Sequence, residues 1–222
     1  MRFLFAIVSL LLCLNAQAGY PRVEIKTNQG NILLELYPDK APKTVKNFLK
    51  YVKSDFYKGT VFHRVVNRFV IQGGGYTPNL EAKHASPPVP SEATNGLKND
   101  AGTLAMARAY DPNSATSQFF INVERNLFLN HHKPQPDYYG YTVFGKVVKG
   151  MDVVQKIAAV PTTSAGPFFS DVPMQDIVIE DVAVIPEITA EPAAEKKTSA
   201  KAKSTKKTKK GNKTKKPAKK SN

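Results

Sequence analysis

The sequence predicts a mostly β domain, built as an antiparallel barrel or sandwich. Three observations carry this. Thirteen glycines and sixteen prolines in 222 residues imply many turns. Short runs of alternating polar and apolar residues recur along the chain. Only two stretches have helical spacing, and they do not alternate with strands in the β-α-β order of a parallel sheet. A hydrophobic content of 41% is enough for one packed core, so one domain is expected with appendages at its ends.

The first appendage is Met1–Ala18. One cation (Arg2) precedes an apolar run from Phe3 to Leu14, and Ala16-Gln17-Ala18 stands before Gly19. This is the layout of a secretory signal peptide with a small-x-small cleavage site. The apolar run is shorter than the roughly 20 residues a spanning helix needs. An uncleaved anchor is the alternative, and bulky Leu12 argues against a lipid-modified Cys13. Cys13 is the sole cysteine, so a mature chain without it has no thiol to oxidise. A periplasmic or secreted location is expected.

The domain spans 19–185. Arg22–Thr27 alternates, Asn28-Gln29-Gly30 turns, and Asn31–Leu36 continues as a second strand. Pro42 suits a first helical position. Val45, Phe48, Leu49 and Val52 then mark the apolar face of a helix over Lys43–Lys53, with Lys43, Lys46, Lys50 and Lys53 on the wet side. Val61–Val65 and Phe69–Gln72 read as strands around Asn67-Arg68. Tyr76–Asp100, with Pro87, Pro88 and Pro90, is a long loop of the kind that is functional or flexible. Gly102–Met106, Gln118–Asn122 and Thr142–Val148 are further strands, separated by polar loops. Met151, Val154, Ile157 and Ala158 mark a second helix, and Val178–Ile185 closes the domain as a strand.

The remainder, 186–222, changes composition abruptly. From residue 187 onward there are thirteen lysines against three glutamates, so ten of the chain's fourteen net positive charges lie there. With no aromatic residue the segment is expected to be disordered. It is either a solvated tail or a polycation for an anionic surface polymer, lipid or nucleic acid. The folded part is only mildly basic, which removes the reason to read it as a nucleic-acid-binding domain.

The chemistry points to Val61–Gly75. Arg64 and Gln72 are long polar side chains inside apolar strand signals, and Gly73-Gly74-Gly75 follows. If alternate residues share a sheet face, the two converge beside Phe69. An amide-held arginine beside a phenylalanine suits a peptide backbone, whereas the plain alternative is a hairpin whose arginine reaches solvent. Other candidates weigh less. His131-His132 lacks a nearby third metal ligand. The three glycines lack the lysine and helix of a phosphate loop. Ser117 has no evident base.

Three ordered segments resemble the cyclophilins, the peptidyl-prolyl cis-trans isomerases, and most of all their periplasmic bacterial type. They are Phe62-His63-Arg64 with Phe69 and Gln72-Gly73-Gly74; Ala105-Met106-Ala107 with Ser117 to Asn122; and Val143 to Val147 with Gly150-Met151. The resemblance covers Val23 to Val184. It implies a closed eight-stranded antiparallel β-barrel capped by two α-helices. It also implies an enzyme that isomerises X-Pro bonds of proline-containing polypeptides with no metal, cofactor or nucleophile. A monomer is expected, acting on exported proteins. By the same resemblance Arg64 is catalytic and Gln72 holds it. Phe69, Val70, Phe120 and Leu129 line the proline pocket, Ala107 and Arg108 bind substrate through backbone groups, and Gln118 lies beside the groove. Three positions depart from the family pattern: Val70 stands where methionine is common, Phe128 where tryptophan is frequent, and Tyr141 where histidine is frequent. These departures bear on inhibitor binding more than on catalysis. The rival reading is a module that binds proline segments without turnover.

Overall fold

The computed structural model describes residues 19–186; the expected signal segment with Cys13 and the lysine-rich tail lie outside the described residues. The domain opens with β1 (Arg22–Thr27) and β2 (Gly30–Leu36), paired antiparallel from Arg22↔Glu35 to Thr27↔Gly30. Val23, Ile25, Ile32, Leu34 and Leu36 are fully buried while their neighbours face outward, the period of two that the sequence shows. Gly30 sits at φ +134°, and a Cβ there would come within 2.8 Å of Val153. Glycine is therefore required at this turn.

Helix α1 (Pro42–Lys53) buries Val45, Phe48, Tyr51 and Val52 and exposes its four lysines. The Phe48 ring centroid lies 5.3 Å from those of Tyr57 and Phe144 and 5.6 Å from that of Phe119. Helix α2 (Met151–Ala158) buries Val154, Ile157 and Ala158 into the same core. Both helices thus bury their apolar faces in the interior of one sheet.

That sheet also contains β3 (Thr60–Val61), β4 (Arg64–Val66), β5 (Val70–Gly73), β6 (Thr103–Met106), β7 (Phe119–Asn122), β8 (Val143–Lys149) and β11 (Val178–Ile185). Its order is β3-β11-β1-β2-β8-β6-β7-β5-β4, with every pairing antiparallel. The two edge strands, β3 and β4, are separated in sequence only by Phe62 and His63. The sheet therefore curls until its edges are successive pieces of one chain segment. The expectation was eight strands closed by hydrogen bonds; the structure has nine, and no ladder joins β3 to β4 among the described residues.

The difference arises because Val61–Val65 is not one strand. Val61, Phe62 and His63 are all buried, which a single half-covered strand cannot achieve. The Val61 N–H donates to the Tyr76 carbonyl (2.9 Å) and the Phe62 N–H to that of Ile177 (2.9 Å), so the chain changes partners there. A second difference is a hairpin, β9 (Thr162–Ala165) and β10 (Phe168–Pro173), forming a separate two-stranded sheet. The sequence does not announce it, because half of its residues are exposed and they carry no period-two apolar pattern.

Candidate active site

Arg64 and Gln72 are direct cross-strand partners. The row continues through Gln72↔Phe120, Ala105↔Phe120 and Ala105↔Val143. Side chains along a strand alternate faces, and the intervening Val65, Ile71, Ile121 and Leu104 enter the main core. The row from Arg64 to Val143 therefore lies on the outer face of the curled sheet. There Val70, Ala105, Phe120, Leu129 and Val143 form a second, smaller apolar cluster with Phe69, Leu97, Ala107 and Tyr141 packed on it. Covering both faces explains why all four residues of β7 are buried.

The result is a cavity of about 200 Å³ lined by Arg64, Phe69, Val70, Gln72, Ala107, Arg108, Phe120, Leu129 and Tyr141. Nine of the eleven residues expected at the site share this one depression. The other two lie beside it. Gln118 stands behind Gln72, and its Oε1 accepts a 3.0 Å hydrogen bond from Gln72 Nε2. Phe128 is 68% exposed and stacks on Phe69, with 5.6 Å between centroids and 20° between planes. It forms an aromatic rim without an N–H to offer.

Arg64 is held locally. Its Nη1 donates to Gln72 Oε1 at 3.4 Å, and its guanidinium carbon lies 5.9 Å from the Phe69 ring centroid. Gln118 continues the chain of amides and packs so closely on Gly75 that a Cβ there would fall 2.5 Å from Gln118 Cγ. Arg108 has a different part. Its Nε donates to the Gly140 carbonyl, Nη1 to those of Ala109 and Tyr110, and Nη2 to that of Pro136, at 2.8–2.9 Å. Four of the five N–H donors of a guanidinium are thus spent on tying two loops together above Tyr141, whose ring centroid is 4.8 Å away. The Ala107 N–H is committed to the Gln118 carbonyl (3.0 Å).

Two features escape sequence reasoning. Buried asparagines hold the pocket wall: Asn126 Nδ2 donates to the Phe69 carbonyl and Asn122 Oδ1, Asn122 Nδ2 to Asn99 Oδ1, and Asn99 Nδ2 to the Leu129 carbonyl. Asn99 and Asn126, in loop-like sequence, look like turn formers and Asn122 ends a strand; only the fold shows the three hydrogen-bonded in one interior. The other is His63. Its ring lies 4.5 Å from that of Tyr76 and 5.3 Å from that of Phe168, and Nδ1 has no hydrogen-bond partner among the described residues. Burial lowers its pKa to about 4, so the imidazole is neutral. His131 Nδ1 and His132 Nε2 pair with the carbonyls of Tyr139 and Leu127, as loop histidines do.

A family model described as cyclophilin type peptidyl-prolyl cis-trans isomerase/CLD matches residues 22–184. A peptidyl-prolyl cis-trans isomerase of Acinetobacter baylyi is 54% identical over 173 residues, covering 78% of this chain and 89% of its own. Peptidyl-prolyl cis-trans isomerase B of Escherichia coli is 52% identical over 160 residues, covering 72% and 97%. The crystal structure of a Cryptosporidium parvum cyclophilin type peptidyl-prolyl cis-trans isomerase superposes with a TM-score of 0.63 at 32% identity, covering 75% of this chain and 98% of that one. The three sequence segments, the curled antiparallel sheet and these relatives agree, and the chain belongs to the cyclophilin-type peptidyl-prolyl cis-trans isomerases.

Proposed function

We propose that the isomerase reaction takes place in the cavity between Arg64 and Leu129, with Arg64 as the donor to the twisted amide. The single observation that carries this is the placement of Arg64 and Gln72 as cross-strand partners lining one small cavity with Phe69, Phe120 and Leu129. At about 200 Å³ the cavity is smaller than the ~300 Å³ or more typical of sites for drug-sized ligands. It suits one compact apolar side chain, such as a proline ring against Phe69, Phe120 and Leu129.

Resonance stiffens an X-Pro amide with a barrier of about 18–20 kcal/mol, so uncatalysed exchange takes tens to hundreds of seconds. An acceleration of around 10⁵ requires about 7 kcal/mol. Planar resonance separates charge and is favoured by water, so a dry apolar wall weakens it. Twisting localises the lone pair on the prolyl nitrogen, which then accepts a hydrogen bond that the planar form cannot. A guanidinium donor aimed there binds the transition state selectively. One such bond contributes roughly 1.5–3 kcal/mol, so desolvation and positioning supply the rest.

The clients in this reading are exported polypeptides with X-Pro bonds, because Met1–Ala18 has the layout of a signal peptide. The lysines beyond residue 186 give the chain a contact for anionic polymers or lipid. The test is Arg64→Ala in a protease-coupled assay on a proline tetrapeptide. Turnover is expected to fall at least tenfold with the thermal midpoint unchanged, since a partly exposed guanidinium adds little to packing. Near-normal turnover in the folded variant would remove Arg64 from the mechanism.

A further inference from the structure

We infer that Asp171 is a positioning residue for Arg64, supplied by the β9–β10 hairpin. The inference rests on the reading of Arg64 as the donor to the twisted amide. Asp171 Oδ2 lies 3.5 Å from Arg64 Nε, across from the Gln72 amide that meets Nη1. A hydrogen-bonding amide and an ion-pairing carboxylate from two different sheets thus approach two nitrogens of one guanidinium. Nη2 has no protein partner among the described residues, and its N–H groups are left to a ligand.

An ion pair between partly exposed groups contributes little to stability by itself, so the contact alone decides nothing. Its setting does. Within the hairpin, Phe168 pairs with Ala165 and Val172 with Thr163. Three residues of β10, Phe169 to Asp171, therefore stand opposite the single Ser164. The strand bulges at that point, and bulges re-aim side chains. Asp171 also adopts φ +69°, a left-handed conformation that is unfavourable for a residue with a Cβ. Aspartate tolerates it better than most.

The turn end of the hairpin, just before the bulge, is anchored. The Phe168 ring packs against His63, the residue before Arg64, and edge-on against Tyr76 at 5.0 Å. Gly166 faces Leu80, where a Cβ would come within 2.9 Å. The hairpin thus grips the segment that carries Arg64 and holds a carboxylate beside the guanidinium Nε. A free arginine side chain samples many rotamers. Restricting it before substrate arrives lowers the cost of reaching the transition state, and the guanidinium keeps its charge beside the carboxylate.

The experiment compares Asp171→Ala, Asp171→Asn, Arg64→Ala and the double variant Arg64→Ala/Asp171→Ala, each in the full chain, by steady-state isomerisation of a proline tetrapeptide. Asp171→Ala is expected to lower kcat about three- to tenfold with KM within twofold. Asp171→Asn keeps the size of the side chain but removes its charge, so it is expected to lose nearly as much as Asp171→Ala, the contact being an ion pair. In the Arg64→Ala background, Asp171→Ala is expected to have no further effect. Wild-type kcat in Asp171→Ala beside an impaired Arg64→Ala overturns this inference and leaves the role of Arg64 standing. An equal loss in both backgrounds also overturns it, because Asp171 then acts through something other than Arg64. A fully active Arg64→Ala overturns both.

Discussion

Among single residues, His63 gives the sharpest pH dependence. Its pKa falls from 6.5 to about 4 because burial disfavours the imidazolium. In the unfolded chain the ring protonates near 6.5, so the folded form binds fewer protons between those two values. His63 therefore has no such cost above about pH 6.5, and stability falls as pH drops from there toward 4, by roughly 3 kcal/mol at most. The thermal midpoint of the wild type is expected to decline over that window more steeply than that of His63→Gln. Parallel declines would show that other groups set the acid limit. At this scale the site was partly legible. Arg64 and Gln72 stood out because a long polar side chain interrupts an apolar strand signal at each position. Asp171 could not stand out, since a lone aspartate beside Ser170 is ordinary and its meaning comes from the Arg64 side chain 3.5 Å away. Arg108 was legible as a site position but not in its manner. The spacing gave no sign that its side chain clamps Gly140 and Pro136.

At the scale of elements, α1 shows how the long 76–100 loop is tied to the fold. The helix has Ala41 at its N-cap and no acidic residue in its first turn. Its free N–H groups are met from outside: Glu92 accepts from the backbone N–H of Lys43 (3.1 Å) and Thr44 (2.9 Å) and from the Thr44 hydroxyl (2.7 Å). The carboxylate also complements the positive end of the helix dipole. Glu92→Ala is expected to lower unfolding free energy by about 1–2 kcal/mol in urea titrations, the range for loss of a cap. A change within a few tenths would mean that the contact is no stronger in the folded chain than water. The strands β1 and β2 and both helices were legible because each buries one face at a fixed period, whereas β11, where Ile179 and Val182 are buried across a register shift, was legible from its apolar run. The break at Phe62-His63 and the β9–β10 hairpin were not. The first depends on which distant carbonyls the chain meets, and the second has no apolar face to repeat.

At the scale of the whole molecule, the ends of the described chain differ sharply in what they support. Removing residues 187–222 is expected to leave turnover and thermal midpoint unchanged, because the family match ends at residue 184. The same removal is expected to weaken retention on anionic polymer at low salt, with the difference fading as salt rises. A tailless protein retained equally well refutes a role for the lysines. Cutting instead before Val178 removes β11 and is expected to abolish cooperative unfolding.

The position of β11 reaches into the kinetics of the chain's own folding. It lies between β1 and β3, and Arg22 is opposite Ile185. The first strand thus has no outer neighbour until the last has been made, so contact order is high and the sheet completes late. A nascent chain that lacks β11 leaves β1 as an open edge and β3 without its pairing partner. For a polypeptide read as crossing a membrane before it folds, that delay is an asset. The last strand to be made thus sets the earliest moment at which this isomerase domain can complete its own sheet.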